Sequence, residues 1–298
     1  MIKNKTICYA DNPCNGYYGK CLDVKITNAC NGSCRFCIEK NGYRPDNIPV
    51  ERLIEITNSL EDYQKVLILG GEPFLYPNLI EYLEGIKNKE EIYITTNGSL
   101  FHKWPLDKIA QYLTAVNISI HHYSQAGASS ALGTLLDFIE IYLAIKQFKA
   151  AGVKVRINTN LIKGVLNDYT DIQLMISAAK NLGADEIRFA ELQHCSELYV
   201  SAENLFGGML NIKLPDEPFS SGCEHLISDE KDFAVRLRLA CGLVNPNRVP
   251  PSCPERKGSM TKVMYPDGTL SNGWLTPAKT EYIKNTFGWD CHSRNSCH

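Results

Sequence analysis

Strand-like and helix-like segments alternate six times between residues 21 and 192, and this alternation constrains the fold more than any other feature of the sequence. Short apolar or alternating runs predict six strands, at 21–27, 65–73, 91–99, 115–122, 153–161 and 185–192. Helical spacing occupies the intervals between them. This alternation is typical of parallel strands joined by right-handed helical crossovers, so we predict an α/β fold.

Six units are fewer than the eight of a closed barrel. The sequence therefore favours an open, partial (β/α)6 barrel, with an open doubly wound sheet as the alternative. In both architectures the chemistry lies at the carboxyl ends of the strands. Polar or glycine-rich stretches stand at those ends, and they read GGEP at 70–73, TTNG at 95–98, HHYS at 121–124 and NTNL at 158–161. We expect them to share one rim of the sheet.

Three cysteines, Cys30, Cys34 and Cys37, follow the first predicted strand within the stretch NACNGSCRFC. Iron–sulfur clusters are held by cysteine thiolates, normally four for a [4Fe–4S] cubane. Three thiols leave one iron without a protein ligand, and that iron is open to a small molecule. A structural zinc site is the alternative, but it takes four ligands, usually from paired C-x2-C units.

The spacing C-x3-C-x2-C, with Phe36 directly before the last cysteine, resembles the signature of the radical S-adenosylmethionine (radical SAM) superfamily. The GGEP stretch after the second strand is similar to a segment of the same family. The resemblance implies that the open iron chelates the methionine part of SAM. It also implies that an electron from the cluster cleaves SAM, and that the resulting 5′-deoxyadenosyl radical takes a hydrogen atom from the substrate.

The resemblance further implies a SAM-binding rim. Gly70 and Gly71 lack a Cβ and let the backbone approach a ligand, and Glu72 is placed to accept from the methionine ammonium. For His121 a solvated strand end is the alternative, and for Arg188 a salt bridge under the sheet. The full predicted set is Gly70, Gly71, Glu72, Pro73, Thr95, Thr96, Asn97, Ser119, His121, Asn158, Asn160 and Arg188.

The regular alternation stops near residue 192, and cysteines become frequent. Residues 158–192 resemble the branch that contains the molybdopterin-precursor cyclases and the SPASM/Twitch enzymes, which often append a cysteine-rich module with a further [4Fe–4S] cluster. We accordingly divide the chain into an N-terminal extension (1–20), the barrel (21–192) and a Twitch-like extension (193–298).

Two hairpins are predicted in this extension. FAVRLRLA, at 233–240, alternates like a strand, and a hairpin there would bring Cys223 and Cys241 together. A second hairpin is centred on Asp267-Gly268. We predict an auxiliary cluster on Cys223, Cys241 and Cys253, with Cys291 or Cys297 as the fourth ligand. A three-cysteine cluster open to substrate, packing cysteines and a zinc site at the C-terminus are the alternatives.

The remaining cysteines receive separate interpretations. Cys195 follows the sixth strand, and we predict that it donates a hydrogen atom to a product radical, with ordinary packing as the alternative. Cys8, Cys14 and Cys21 precede the barrel, and we interpret them as loop thiols or as a cap on the barrel bottom.

Composition excludes several classes of protein. The net charge of -2 gives no general reason to bind nucleic acid, and no apolar run approaches the roughly 20 residues that span a bilayer. The first residues lack the apolar core of a signal peptide, so we predict a cytoplasmic location. In that reducing compartment, 12 cysteines indicate metal or redox chemistry rather than disulfides.

We therefore predict a radical SAM oxidoreductase, cyclase or lyase with a [4Fe–4S] cluster, SAM and one auxiliary cluster. A reductant such as flavodoxin or ferredoxin would supply the electron. The compact chain, with no leader-binding extension, favours a small-molecule substrate such as a nucleotide or sugar derivative. A maturase of a ribosomally made peptide is one alternative. A non-catalytic iron–sulfur carrier is another, but it would need four ligands per cluster and no polar rim.

Overall fold

The computed structural model describes residues 21–39, 42–192, 196–206, 224–230, 232–238 and 261–272. The helices and strands in chain order are β1 (Cys21–Lys25), α1 (Val50–Ser59), β2 (Lys65–Leu69), α2 (Leu79–Gly85), β3 (Glu91–Thr96), α3 (Leu106–Ala110), β4 (Ala115–Ser119), α4 (Gln125–Leu132), α5 (Phe138–Ala150), β5 (Lys154–Leu161), α6 (Tyr169–Asn181), β6 (Glu186–Glu191), α7 (Ala202–Phe206), β7 (Glu224–Glu230), β8 (Phe233–Arg238), β9 (Thr261–Met264) and β10 (Leu270–Ser271). None of the described helices has both the length and the apolarity needed to cross a lipid bilayer.

All ten strands belong to one sheet, in the order β10-β9-β1-β2-β3-β4-β5-β6-β8-β7. Strands β1 to β6 are parallel and adjacent in sequence order. In a doubly wound sheet the order of the strands reverses at a switch point. Strands that follow one another in chain order, as β1 to β6 do, are the arrangement of a barrel. The edges of β1 and β6 pair with β9 and β8 rather than with each other. The predicted partial (β/α)6 barrel is therefore confirmed.

Strands from the C-terminal part of the chain extend both edges of this sheet. The predicted hairpin before residue 240 is confirmed, because β7 and β8 pair in antiparallel fashion and β8 lies beside β6. The hairpin at Asp267-Gly268 is also confirmed, with β9 parallel to β1 and antiparallel to β10. The domain division at residue 192 remains a prediction.

Two of the described helices, α4 and the short α7, were not predicted from the sequence. Helix α4 has the sequence QAGASSAL, and its small residues give no clear apolar stripe. Capping supports it instead, because Ser124 accepts from the N–H of Gly127 at 3.2 Å. The helix ends at Gly133, whose φ of 63° is left-handed.

Side chains on each barrel strand alternate between two environments. On β5, Val155, Ile157 and Leu161 are fully buried and belong to the core that packs against α5 and α6. Arg156, Asn158 and Asn160 alternate with them and are partly accessible. We call the side of the sheet opposite the helices the inner face. It is the side on which a barrel binds its ligands.

A charged cluster on the inner face leads to a stability prediction. Glu186 pairs with Arg156 and with Arg236, whose Nε lies 3.0 Å from Glu186 Oε2. Burial alone raises the pKa of Glu186, but the two guanidinium groups hold it below the ordinary value. Glu186→Gln should lower the free energy of unfolding at pH 7 on the order of 3 kcal/mol, because two partly buried cations lose their counter-ion.

The difference between wild type and Glu186→Gln should shrink as the pH falls. The folded-state pKa is depressed, so the ion pairs stabilise the protein above the unfolded pKa of about 4.3 and lose that effect as the pH drops below it. Anaerobic urea unfolding would measure the free energy of unfolding of wild type and of Glu186→Gln at each pH. Glu55→Gln is the matched control, because its pair with Arg52 is exposed and is expected to contribute less than about 1 kcal/mol. An equal loss of unfolding free energy in Glu186→Gln and Glu55→Gln would contradict the prediction.

Candidate functional site

The three predicted cluster cysteines lie in the loop that leaves the carboxyl end of β1. Cys30 and Cys37 are exposed, Cys34 is half-buried, and all three are free thiols. The loop wraps around Gly32, whose N–H donates to Cys30 Sγ at 3.3 Å. A Cβ at Gly32 would lie 3.6 Å from Cys30 Sγ and 3.7 Å from Cys34 Sγ, so two of the sulfurs lie close to this residue.

The donor set fits an iron–sulfur cluster better than a single metal ion. Within the described ranges, no three cysteine, histidine or carboxylate side chains converge as they would around one ion. A [4Fe–4S] cluster instead takes one cysteine thiolate per iron, so its cysteine sulfurs stand farther apart than the ligands of a single ion. Burial raises the pKa of Cys30, and it raises that of Cys34 to about 12. These thiols need a positive centre nearby to ionise, which a bound cluster supplies.

The end of α4 holds the first half of the cysteine loop. Ser33 donates its N–H to the carbonyl of Leu132 at 2.9 Å, and Cys34 Sγ lies 3.4 Å from the same oxygen. A Cβ on Gly133 would lie 2.0 Å from Ser33 Oγ and 3.1 Å from the Ser33 nitrogen. Nothing in the local sequence of this segment indicates that it meets a loop about 100 residues earlier.

Asn31 links the cysteine loop to two other parts of the rim. Its Nδ2 donates to Ser99 Oγ at 2.8 Å and to Thr134 Oγ1 at 3.2 Å. Its Oδ1 accepts from Asn97 Nδ2 at 2.9 Å. The loop is therefore joined to the end of β3 and to the segment after α4 by one side chain.

The two glycines of GGEP let two backbone segments come very close. The N–H of Gly71 donates to the carbonyl of Thr27 at 2.8 Å. A Cβ at Gly71 would stand 2.2 Å from Ala29 O, and one at Gly70 would stand 3.0 Å from Thr27 O. Glycine is therefore required for this turn to lie against the residues that lead into Cys30.

Glu72 is buried beside this contact, and its carboxylate has three internal donors. It accepts from Phe74 N at 3.0 Å, Thr96 Oγ1 at 2.6 Å and Asn97 N at 2.8 Å. Burial raises the pKa of Glu72, and the three hydrogen bonds oppose this effect. The structure thus uses Glu72, Thr96 and Asn97 to join the ends of β2 and β3. The buried Pro73 begins the 3-10 turn that follows. Direct contacts of these residues with SAM remain a prediction.

The other predicted rim residues form a polar row on the inner face. Ser119, Asn158 and Arg188 are neighbours across β4, β5 and β6. Thr95 lies on β3 and accepts from Asn117 Nδ2 at 3.1 Å. Asn158 Oδ1 is buried and has no hydrogen-bond partner among the described residues, so a ligand with a donor group would satisfy it.

His121 is buried, so it is not a solvated strand end. Its Nδ1 accepts from the N–H of Asn160 at 3.0 Å, and burial lowers its pKa to about 3, so the ring is neutral. The edge of Phe36 meets this ring, with centroids 4.8 Å apart. His121 therefore connects the cysteine loop to β5, a contact that the sequence analysis did not foresee. His122 is half-buried and accepts from Ser124.

Several predicted residues lie outside the described part of the chain. They are Cys8, Cys14, Cys195, Cys223, Cys241, Cys253, Cys291 and Cys297. Cys21 is described, and it is buried at the start of β1 with its Sγ 3.6 Å from Asp23 Oδ1. Cys21 is therefore a strand residue rather than a loop thiol, and its role in capping the barrel bottom stays a prediction.

Comparisons with known proteins point to one family. The sequence profile of the Radical SAM superfamily matches residues 24–173. The GTP 3',8-cyclase of Aquifex aeolicus is 26% identical over 240 residues, which cover 72% of this chain and 73% of that protein. The GTP 3',8-cyclase of Aeromonas hydrophila subsp. hydrophila is 30% identical over 197 residues, which cover 59% of this chain and 55% of that protein. The matches thus span between about half and three quarters of these relatives.

Solved structures share the fold. SuiB of Streptococcus suis bound to S-adenosylmethionine has a TM-score of 0.59 at 17% identity, over 86% of this chain and 60% of that one. SuiB bound to the precursor peptide SuiA has a TM-score of 0.61 at 19% identity, with the same coverage. At this identity the likeness shows the barrel architecture and nothing finer.

A prediction follows for the contact between α4 and the cysteine loop. Gly133→Ala should bind markedly less iron on anaerobic reconstitution, because the new Cβ meets Ser33. The Ser33 hydroxyl can rotate away, but its nitrogen and Cβ, both 3.1 Å from the new atom, cannot. Iron per chain and the melting temperature would be measured together.

Gly152→Ala is the matched control for this prediction. Gly152 also has a left-handed backbone, with φ of 80°, but nothing lies within 4 Å of its would-be Cβ. Both variants therefore carry a left-handed strain of about 1–2 kcal/mol, and only Gly133→Ala touches the loop. The same iron content in both would show that the contact with α4 does not shape the cluster site.

Proposed function

Because the chain belongs to the radical SAM superfamily, we propose that Cys30, Cys34 and Cys37 hold a [4Fe–4S] cluster and that the enzyme takes a hydrogen atom from a small anionic molecule. When bound, the cluster and SAM supply a carbon-centred radical. The observation that carries the proposal is that the three-cysteine loop lies beside a polar inner face. On that face the buried Asn158 Oδ1 has no hydrogen-bond donor among the described residues. The protein orients the ligands and keeps them together.

The SAM-binding role rests on the residues nearest the cysteine loop. The GGEP backbone lies against residues 27–29, so its N–H and carbonyl groups border the cluster site. Ser119, Asn158 and Asn160 line the adjacent wall and suit the ribose or the carboxylate of SAM. His121 fixes Asn160 through its backbone N–H, while the Phe36 ring packs on His121. We assign Phe36 and His121 to positioning.

The substrate class is inferred from charge on the inner face. Strands β5, β6 and β8 place four arginines there, and the only carboxylate at the described inner positions of these three strands is Glu186. Arg188 faces Arg236 across the β6–β8 pair, and Arg238 follows two positions along β8. Guanidinium groups suit phosphate and carboxylate, so this wall favours an anionic substrate.

Among anionic substrates we favour a nucleotide, because both reported relatives are GTP 3',8-cyclases. Arg188, predicted as a SAM-binding residue, is assigned in this proposal to the substrate anion together with Arg238. A ribosomally made peptide is the second candidate, because SuiB shares this fold and is described with a precursor peptide. The four arginines of β5, β6 and β8, which we call the arginine wall, favour the small anion over the peptide. The predicted alternative of a non-catalytic carrier is not retained, because both reported relatives are enzymes.

An auxiliary cluster is the further part of the proposal. The backbones of Glu224 and Arg238 stand opposite each other in the antiparallel register of β7 and β8, so the two ends of the hairpin meet. Cys223 precedes Glu224 in the sequence, and Cys241 comes three residues after Arg238. We propose that these two cysteines, Cys253 and either Cys291 or Cys297 hold this cluster, and that Cys195 donates hydrogen to a product radical. A flavodoxin or ferredoxin would deliver the electron, and the predicted cytoplasmic location stays part of the proposal.

The first test removes the three loop cysteines together. Wild type should hold about eight irons per chain and the Cys30→Ala/Cys34→Ala/Cys37→Ala variant about four, since each cubane has four. With SAM and dithionite, only wild type should make 5′-deoxyadenosine. About four irons in wild type and none in the variant would remove the auxiliary cluster. Cleavage of SAM that survives the triple change would contradict the proposal as a whole.

The second test concerns the arginine wall. Arg238→Gln should weaken GTP binding about tenfold or more, as expected for the loss of a charged hydrogen bond, and leave the KM for SAM unchanged. Equilibrium dialysis would compare GTP with guanosine, which lacks the phosphates. Arg52→Gln, an exposed arginine on α1, is the control. Equal binding of GTP and guanosine by wild type would contradict a phosphate site on this wall.

A further inference from the structure

The chain that follows the cysteine loop is joined to the β9–β10 hairpin of the C-terminal region. We propose that this hairpin is a positioning element for the second half of the cysteine loop, acting through Tyr43 and Asp267 and through a buried ion pair. The inference rests on the proposed cluster at Cys30, Cys34 and Cys37. It gives the C-terminal region a role at the SAM site that is independent of any auxiliary cluster.

The first observation is a direct contact between the two segments. Tyr43 donates its hydroxyl to Asp267 Oδ2 at 2.6 Å, and its ring meets Tyr265 edge-on, with centroids 5.1 Å apart. Five residues further along, Ile48 donates its N–H to the carbonyl of Pro266 at 2.9 Å. The segment is thus attached to the hairpin turn by a side chain, a ring contact and a backbone hydrogen bond.

The second observation is a buried ammonium group between the loop and the hairpin. Lys25, on β1, is 1% exposed; it forms an ion pair with Glu39 and donates to the carbonyl of Tyr43 at 3.0 Å. Its Nζ also lies 5.7 Å from the centre of the Tyr265 ring. Glu39 comes two residues after Cys37 in the sequence. A buried charge needs its partners, so Lys25 ties this end of the cysteine loop to β1 and to the hairpin.

The third observation is that the hairpin is itself fixed. Strand β9 pairs with β1, the strand that leads into the cysteine loop. Asp267 accepts from Thr269 N at 3.0 Å and from Thr269 Oγ1 at 2.9 Å, which closes the turn. A Cβ on Gly268 would lie 2.7 Å from Ile56 Cδ1, so the turn packs on α1. The hairpin therefore offers a rigid reference against which the loop is held.

These contacts complement those made by α4. Residues 132–134 hold the loop near Ser33, and the hairpin holds it beyond Cys37. A cofactor bound between the two supports depends on both for its orientation. Ordering a loosened loop when a ligand binds costs free energy, so loosening one support should weaken the binding of SAM without loss of the cluster.

Tyr43→Phe tests the inference, because it removes one hydroxyl and keeps the ring. We expect amide hydrogen exchange across residues 30–39 to accelerate in the full chain, both before and after reconstitution. We also expect the KM for SAM in the formation of 5′-deoxyadenosine to rise about threefold to tenfold, as the loss of one hydrogen bond predicts, with iron per chain and kcat unchanged. Tyr169→Phe is the matched control, since its hydroxyl also makes one 2.6 Å hydrogen bond, on α6.

A double-mutant cycle separates the contact from general damage to the turn. If the hydroxyl acts through Asp267, the effects of Tyr43→Phe and Asp267→Asn on the KM should not add. Unchanged exchange and unchanged KM in Tyr43→Phe, or an equal change in Tyr169→Phe, would overturn the inference. Failure of wild type to form 5′-deoxyadenosine would instead overturn the proposed function, while the exchange comparison would still decide whether the hairpin holds the loop.

Discussion

The buried carboxylate of Glu72 is the interaction on which the rim of this barrel depends. A carboxylate is tolerated in such a place only when donors replace the water it has lost. Two of its three donors come from Thr96 and Asn97 at the end of β3, and the third comes from its own turn. Gly71, one residue earlier, lies against the residues that lead into Cys30. The carboxylate thus joins the ends of β2 and β3, and the backbone beside it packs on the chain that leaves β1.

The cysteine loop is organised by parts of the chain that are far away in sequence. The end of α4 holds its first half, and the β9–β10 hairpin holds the chain beyond Cys37. Phe36 adds a ring contact to His121 at the end of β4. Such a loop contains few apolar residues of its own, so its position depends on hydrogen bonds to neighbours that are themselves packed. The partial barrel serves as the rigid frame for these contacts, and the C-terminal strands complete it on both edges.

The sequence predicted the barrel well, because each buried parallel strand is a short apolar run with a clear boundary. KVLIL at β2 is an example. It missed α4, whose Ala, Ser and Gly residues have no apolar period, and it overextended strand β2, which ends at Leu69 before GGEP turns. The sequence also does not show that three internal donors reach the Glu72 carboxylate, and contact of Glu72 with SAM stays a prediction.

The sequence by itself determined the family chemistry and the alternation of strands and helices. Cysteine spacing and strand–helix alternation are local patterns, and a local pattern needs no knowledge of distant partners. Only the tertiary structure decided which groups meet: Ser33 with Leu132, His121 with Asn160, Tyr43 with Asp267, and the arginines of β6 and β8 on one wall. These contacts join residues between 39 and 224 positions apart. Their formation depends on the register and twist of the complete sheet, which no short stretch of sequence specifies.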